Sequence, residues 1–286
     1  MKKNATMKLE DYQFNLSDFA LFLSVMKNPR AYRNVLSIIM EEPDIQIKEV
    51  KVEQVVLNKS GKRAIRLDAW AKTVDERQFN MEMQNDTSGD DIRKRSRFYQ
   101  GLMDTPLLKS GKDTKYKMLP STVIIFITQE DIFGKDLAKY TFTEQCEEVA
   151  DLKLEDGTTK IFLNMTSKNG SAELVSMLQY MKETSLNNPE IMVKDSRLLE
   201  LDEIVSEVKQ SEEWEVVKMN VLEIGKEIGK EIGKEIGIEL GEKQALKNLA
   251  KSKLAKGQAI EEIAEMLEVN VEYVQKLLEE LEKKAE

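Results

Sequence analysis

The run Ser121–Thr128, STVIIFIT, constrains the fold of this chain more than any other segment. Its apolar side chains continue without alternation, so a strand formed here must be covered on both faces. Such a strand sits at the centre of a sheet between packed layers. Helices are available for those layers. Asn15-Leu-Ser-Asp18 caps a helical pattern from about Phe19 to Met40, which stops before Pro43 and is interrupted at Asn28-Pro29. A second pattern runs from Asp90 to about Leu108 with Phe98, Leu102 and Met103 on its apolar side, and a third from Ser171 to Glu183. Ile45–Leu57 alternates as a strand, Asn58–Gly61 is a turn, and Thr158–Asn164 is a further strand. The expectation is an α/β layered domain ending near residue 200.

Between the first strand and the second helical pattern lies IRLDAWAKTVDERQFNMEMQ, ending at Gln84. It reads as two strands joined by a charged turn, with Asp68 in one and Glu82 in the other. Asn80, Glu82 and Gln84 point to one face, Met81 and Met83 to the other. Neighbouring strands lie roughly 5 Å apart, so the two carboxylates can share one small ion. Two hard oxygen donors suit Mg²⁺ or Mn²⁺ with water and phosphate as the remaining ligands. The same spacing is met by exposed strand residues paired with Arg66 or Arg77.

Composition closes other routes. There is no histidine, which removes Ser-His-Asp and Cys-His catalysis and every His-containing zinc site. The single cysteine, Cys146, allows no disulfide framework within the chain and is expected to be a small buried residue. No Gly-rich phosphate loop is present. The net charge is −9, yet residues 200–286 hold 22 acidic and 13 basic side chains and so account for all of it. The rest is near neutral, and Asp91–Lys117 carries eight basic residues against three acidic ones. That basic stretch directly follows the Glu82 strand and suits a phosphodiester partner, or is simply a solvated helix face. Arg93 and Arg97, four apart, share a face and form the better phosphate-contact pair, with Lys94 beside them, while Tyr99 is expected to pack.

The C-terminal part reads as two segments, 201–245 and 246–286. Glu223–Gly241 repeats E-I-G-K, with glycines at 225, 229, 233, 237 and 241. Each glycine costs a helix about 0.8–1 kcal/mol relative to alanine, and Glu-to-Lys pairs such as Glu223 with Lys226 return only about 0.2–0.5 kcal/mol each. A helix here needs a partner, and self-association through the tail is the preferred reading over a flexible linker. The last segment splits into two short amphipathic helices around Val269-Asn270, like a helix-turn-helix. Glu272, Glu279, Glu280 and Glu282 oppose DNA contact and favour packing or assembly.

These residues also carry a resemblance. The Asp68–Gln84 core, followed by RKRSRFYQGLMD, STVIIFITQEDIFGKDLAKYTF, the Cys146-Glu147 segment and LKLEDGTTKIFLN, resembles the recombination-promoting nuclease/transposase family of the PD-(D/E)XK superfamily. The match spans about residues 15–185, and the repeated tail is also similar to tails in that family. The resemblance implies a restriction-endonuclease-like central mixed sheet flanked by helices over residues 1–200, a divalent-metal site and DNA-strand hydrolysis. It places Asp68 and Glu82 on the metal-binding carboxylates, adds the Met83 carbonyl as a ligand, and sets Gln84 where the wider superfamily often has lysine. Glutamine has no titratable proton, so it can only orient water or phosphate oxygens. An acidic residue from the first helix often joins the pair, and Asp18 and Glu42 are the candidates.

The function expected is a metal-dependent DNA endonuclease linked to recombination or mobile elements. Competing readings are a nuclease-fold protein acting in assembly or DNA association without turnover, and a toxin or defence nuclease restrained by its tail. The first residues, MKKNATMKLEDYQF, have no apolar run behind the lysines, and no window approaches a membrane span, which points to the cytoplasm.

Overall fold

The structure, a computed structural model, describes residues 12–56, 64–108 and 114–282. The expected turn at 58–61 lies outside them. The first helical pattern is divided at Asn28-Pro29 into α1 (Phe19–Met26) and α2 (Pro29–Met40). The Asn28 side chain accepts from the Arg30 N–H, and proline at the first position of α2 has no N–H to leave unsatisfied.

Next come β1 (Ile47–Val56), β2 (Ile65–Thr73), β3 (Gln78–Gln84) and α3 (Ile92–Asp104). They are followed by β4 (Thr122–Thr128), β5 (Lys139–Phe142), β6 (Thr158–Asn164), α4 (Ala172–Lys182) and α5 (Ser196–Lys209). The six strands form one sheet in the order β1-β2-β3-β4-β6-β5. β1, β2 and β3 are an antiparallel meander, β4 joins β3 in parallel, β6 joins β4 in parallel, and β5 closes the far edge antiparallel to β6. The protein is therefore α/β with a mixed sheet flanked by helices.

Every residue of β4 is buried, as its unbroken apolar run requires. On one face Ile124 and Phe126 pack with Trp70, Phe162 and the α3 residues Ile92, Tyr99, Leu102 and Met103. On the other, Ala69, Ala71, Phe79, Met81, Ile125 and Ile127 are equally closed to solvent. Helices α1, α2, α4 and α5 pack among themselves, and the buried Tyr32 hydroxyl of α2 donates to the carbonyls of Ala69 and Phe79 on adjacent strands. That hydroxyl pins β2 to β3 just below the carboxylates. The edge strand β1 is lined with Lys48, Glu49, Lys51 and Glu53, charges that discourage another strand from adding to it. Cys146 is half-buried, its thiol donating to Glu148 at 3.2 Å, and does not lie in the core as expected.

The chain divides into two compact units, Met1–Lys218 and Met219–Glu286. α5 and the first turn of α6 (Glu212–Leu254) belong to the first unit, where the Trp214 ring meets Phe14 edge-on at 5.1 Å. The whole glycine repeat lies within α6, a single helix of 43 residues. In the second unit α7 (Ile260–Met266) and α8 (Val271–Glu282) close a small core of Ile263, Ala264 and Val274 with Ala250 of α6. The two short amphipathic helices thus spend their apolar faces on packing. No helix among the described residues is long and apolar enough to cross a membrane.

Candidate active site

β2 and β3 pair in register from Lys72–Gln78 to Ala69–Met81. One step further the same register sets Asp68 opposite Glu82, and there the side chains enter the seam between the strands. The Asp68 N–H donates to Glu82 Oε1 at 3.0 Å, and the Met83 N–H donates to Asp68 Oδ2 at 3.2 Å. Each carboxylate accepts a backbone N–H from the opposing strand, so the strands stay joined through side chains where the ladder ends. Asp68 is 6 % exposed and Glu82 is fully buried. This excludes the reading of the two as exposed residues paired with Arg66 or Arg77.

Burial is costly for both carboxylates. It pushes the Asp68 carboxyl up to about 6, against the opposing effects of the Met83 N–H and the charges of Arg95 and Arg66. Glu82 is pushed up to about 7, first by burial and then by the charge of Asp68. The Asn80 side-chain amide donates to Glu82 Oε1 at 2.8 Å, and Arg95 Nη2 donates to Glu82 Oε2 at 2.8 Å. Arg95 Nη1 also reaches Gln84 Oε1 and its Nε reaches the Tyr99 hydroxyl, each at 2.8 Å. The guanidinium lies 4.9 Å from the Tyr99 ring centre and 5.6 Å from that of Phe126.

The basic helix α3 is turned differently from the Arg93–Arg97 pairing. Its N-cap Asp91 accepts from the N–H groups of Arg93 and Lys94, and both side chains also pair with Asp91 at 3.2 and 3.5 Å. Arg93, Lys94 and Arg97 are all exposed. The arginine delivered to the carboxylates is Arg95. The available signal was Tyr99, four residues on and expected to pack, because residues four apart share a helix face.

Gln84 is half-buried, its Oε1 accepting from Arg95 and its Nε2 donating to the Asp86 carbonyl. Glu42 is engaged elsewhere: Arg77 donates to both of its oxygens, at 3.0 and 2.7 Å. Arg77 precedes Glu82 by five residues, roughly 16 Å along an extended strand. Asp18 is at the correct end of β3, since the Asn85 side chain donates to the Ser17 carbonyl at 2.8 Å. Its carboxylate accepts from the Tyr12 hydroxyl at 2.8 Å and the Asn15 N–H at 2.7 Å. Among the described residues no group of three or more Asp, Glu or Cys side chains is placed to hold a metal ion.

Other conspicuous segments are scaffold. Asp131 accepts from the N–H groups of Phe133, Gly134 and Asp136 and from the Tyr140 hydroxyl, which ties the IFGKD loop to β5. In the DGT segment, Gly157 takes a φ of 82° as the chain turns into β6, and Asp156 accepts from the Thr158 N–H.

The donor chemistry at Asp68 and Glu82 fits a hard divalent cation. Both groups offer oxygen, both are raised towards the protonated form by burial, and a shared cation relieves that cost. With two carboxylates, the other ligands fall to backbone, water and substrate oxygens. A family model described as "PD-(D/E)XK nuclease family transposase" matches residues 9–220. No curated protein and no solved structure matches the chain.

Proposed function

The chain belongs to the PD-(D/E)XK nuclease family transposases, and on that premise we propose that it is a divalent-metal-dependent DNA endonuclease. The observation that carries this is the buried Asp68–Glu82 pair, held by reciprocal N–H bonds at the mouth of the β2–β3 seam. Asp68 and Glu82 hold Mg²⁺ or Mn²⁺. Met83 contributes its carbonyl, which lies on the same strand edge as the N–H bound to Asp68. The cation supplies Lewis acidity at the scissile phosphate and lowers the pKa of water.

The remaining work falls to the chain's own side chains. Gln84 has no titratable proton, so its amide orients water or phosphate oxygens, and its link to Arg95 fixes the direction it faces. The exposed Arg93, Lys94 and Arg97 of α3 contact the DNA backbone and set register on the strand. A cytoplasmic location and a role in recombination or mobile elements accompany this reading. Assembly into a homo-oligomer through α6 is supported by the row of exposed Ile224 and Ile228 beside open glycines.

Supercoiled plasmid incubated with Mg²⁺ or Mn²⁺ tests the site. The wild type should nick it, and Asp68→Ala and Glu82→Ala, with unchanged circular dichroism, should not. Full nicking by both variants would remove the carboxylates from the mechanism.

A further inference from the structure

We propose that Arg95 acts as the resident cation of the site: it holds Glu82 while no divalent ion is bound, yields Glu82 Oε2 when one binds, and then presents its guanidinium to the substrate phosphate. This rests on reading the carboxylate pair as a cation site.

Glu82 divides its hydrogen bonds between its two oxygens. Oε1 is held by the Asp68 N–H and the Asn80 amide, both uncharged donors from the sheet. Oε2 is held by Arg95. The carboxylate therefore keeps its aim if Arg95 leaves, and the oxygen that Arg95 covers is the one that an incoming cation needs. Two cations on one oxygen repel, so binding of one displaces the other.

Arg95 is built for that exchange. Its side chain is 23 % exposed where Glu82 is fully buried, so it is the partner of Glu82 that reaches solvent. Tyr99 and Gln84 give the guanidinium two anchors independent of Glu82, and the Tyr99 and Phe126 rings support it. Released from Oε2, it stays at the site with its planar fork of donors available. That fork matches phosphate oxygens, which a flexible point charge does not.

The competition gives Arg95 a signature opposite to that of a structural brace. Mn²⁺ binding is measured by calorimetry on the full chain without DNA, and plasmid nicking is measured in parallel. Arg95→Met, which keeps the stem over the rings, should tighten Mn²⁺ binding on the order of tenfold while nicking falls on the order of a hundredfold. Arg95→Lys should recover part of the nicking and bring Mn²⁺ affinity back towards wild type. Should Arg95→Met fail to fold, Tyr99→Phe removes one anchor and should also tighten Mn²⁺ binding. Wild-type binding that these variants weaken or leave unchanged overturns the proposal and leaves the cation site standing. No Mn²⁺ binding by the wild type overturns the proposed function and this inference with it.

Discussion

The backbone N–H of Asp68 is bonded to the side chain of Glu82, the residue opposite it across two antiparallel strands. Each carboxylate is thus a structural acceptor and a candidate metal ligand at once, while burial favours the protonated form that the ligand role cannot use. The acceptor role survives when the oxygen is neutral, whereas the ligand role needs charge.

The first prediction follows from that opposition. Unfolded, the two groups titrate near their ordinary values, and folded they titrate at about 6 and about 7. Between those limits the native state holds more protons than the unfolded chain, so stability falls as pH rises from about 4 to about 7. The size is on the order of a few kcal/mol. Melting temperature in EDTA should be lower at pH 8 than at pH 5.5, and Mn²⁺ should restore much of it at pH 8. Asp68→Asn should melt higher than wild type at pH 8 in EDTA and lose nicking. A melting-temperature advantage of wild type over Asp68→Asn that stays level or grows from pH 5.5 to pH 8 in EDTA would show that the Asp68 carboxyl is not raised.

The second concerns Gln84. Its amide joins Arg95 to the Asp86 carbonyl and does not ionise in the working range. Gln84→Ala should lower the nicking rate about tenfold or more, by loosening Arg95, without moving the pH–rate profile. Gln84→Lys should keep some activity. A large displacement of the profile in Gln84→Ala would show that Gln84 tunes the group that activates water, and that orienting alone does not describe its role.

The third concerns the repeat. A Cβ added at Gly225, Gly229, Gly237 or Gly241 meets nothing within 4 Å. Alanine at Gly225 and Gly229 should therefore raise helix stability by about 0.8–1 kcal/mol per site. If those glycines admit a second copy's backbone, the same change should shrink the oligomer in light scattering, and leucine at Gly229 should do so more strongly. Alanine variants that keep both mass and assembly would return the repeat to a linker.

The sheet was legible wherever one chemistry filled a strand. The unbroken apolar run announced β4, and alternation announced β1, β2 and β3 and put Asp68 and Glu82 within reach of each other. The strand β5 is not legible in its four residues, since Lys139–Phe142 depends on β6 for its definition and is too short to show a period. Arg95 was hidden for a different reason. Three arginines alternate along α3, and the rotation of that helix on the sheet is set by Tyr99, Leu102 and Met103 settling against β4. A charge count does not report which arginine such packing turns inward. Burial of the carboxylates was equally invisible, because spacing fixes that two strand residues face each other and says nothing of what covers them.

The period of the α6 repeat has a geometric consequence. Four residues advance a helix by about 6 Å and turn it by about 40° beyond a full revolution. One E-I-G-K unit more or fewer would shift Leu254 by that step along the axis from Met219 and rotate it by the same small angle. Repeat number then works as a vernier, setting reach and bearing together while every row of side chains keeps its chemistry.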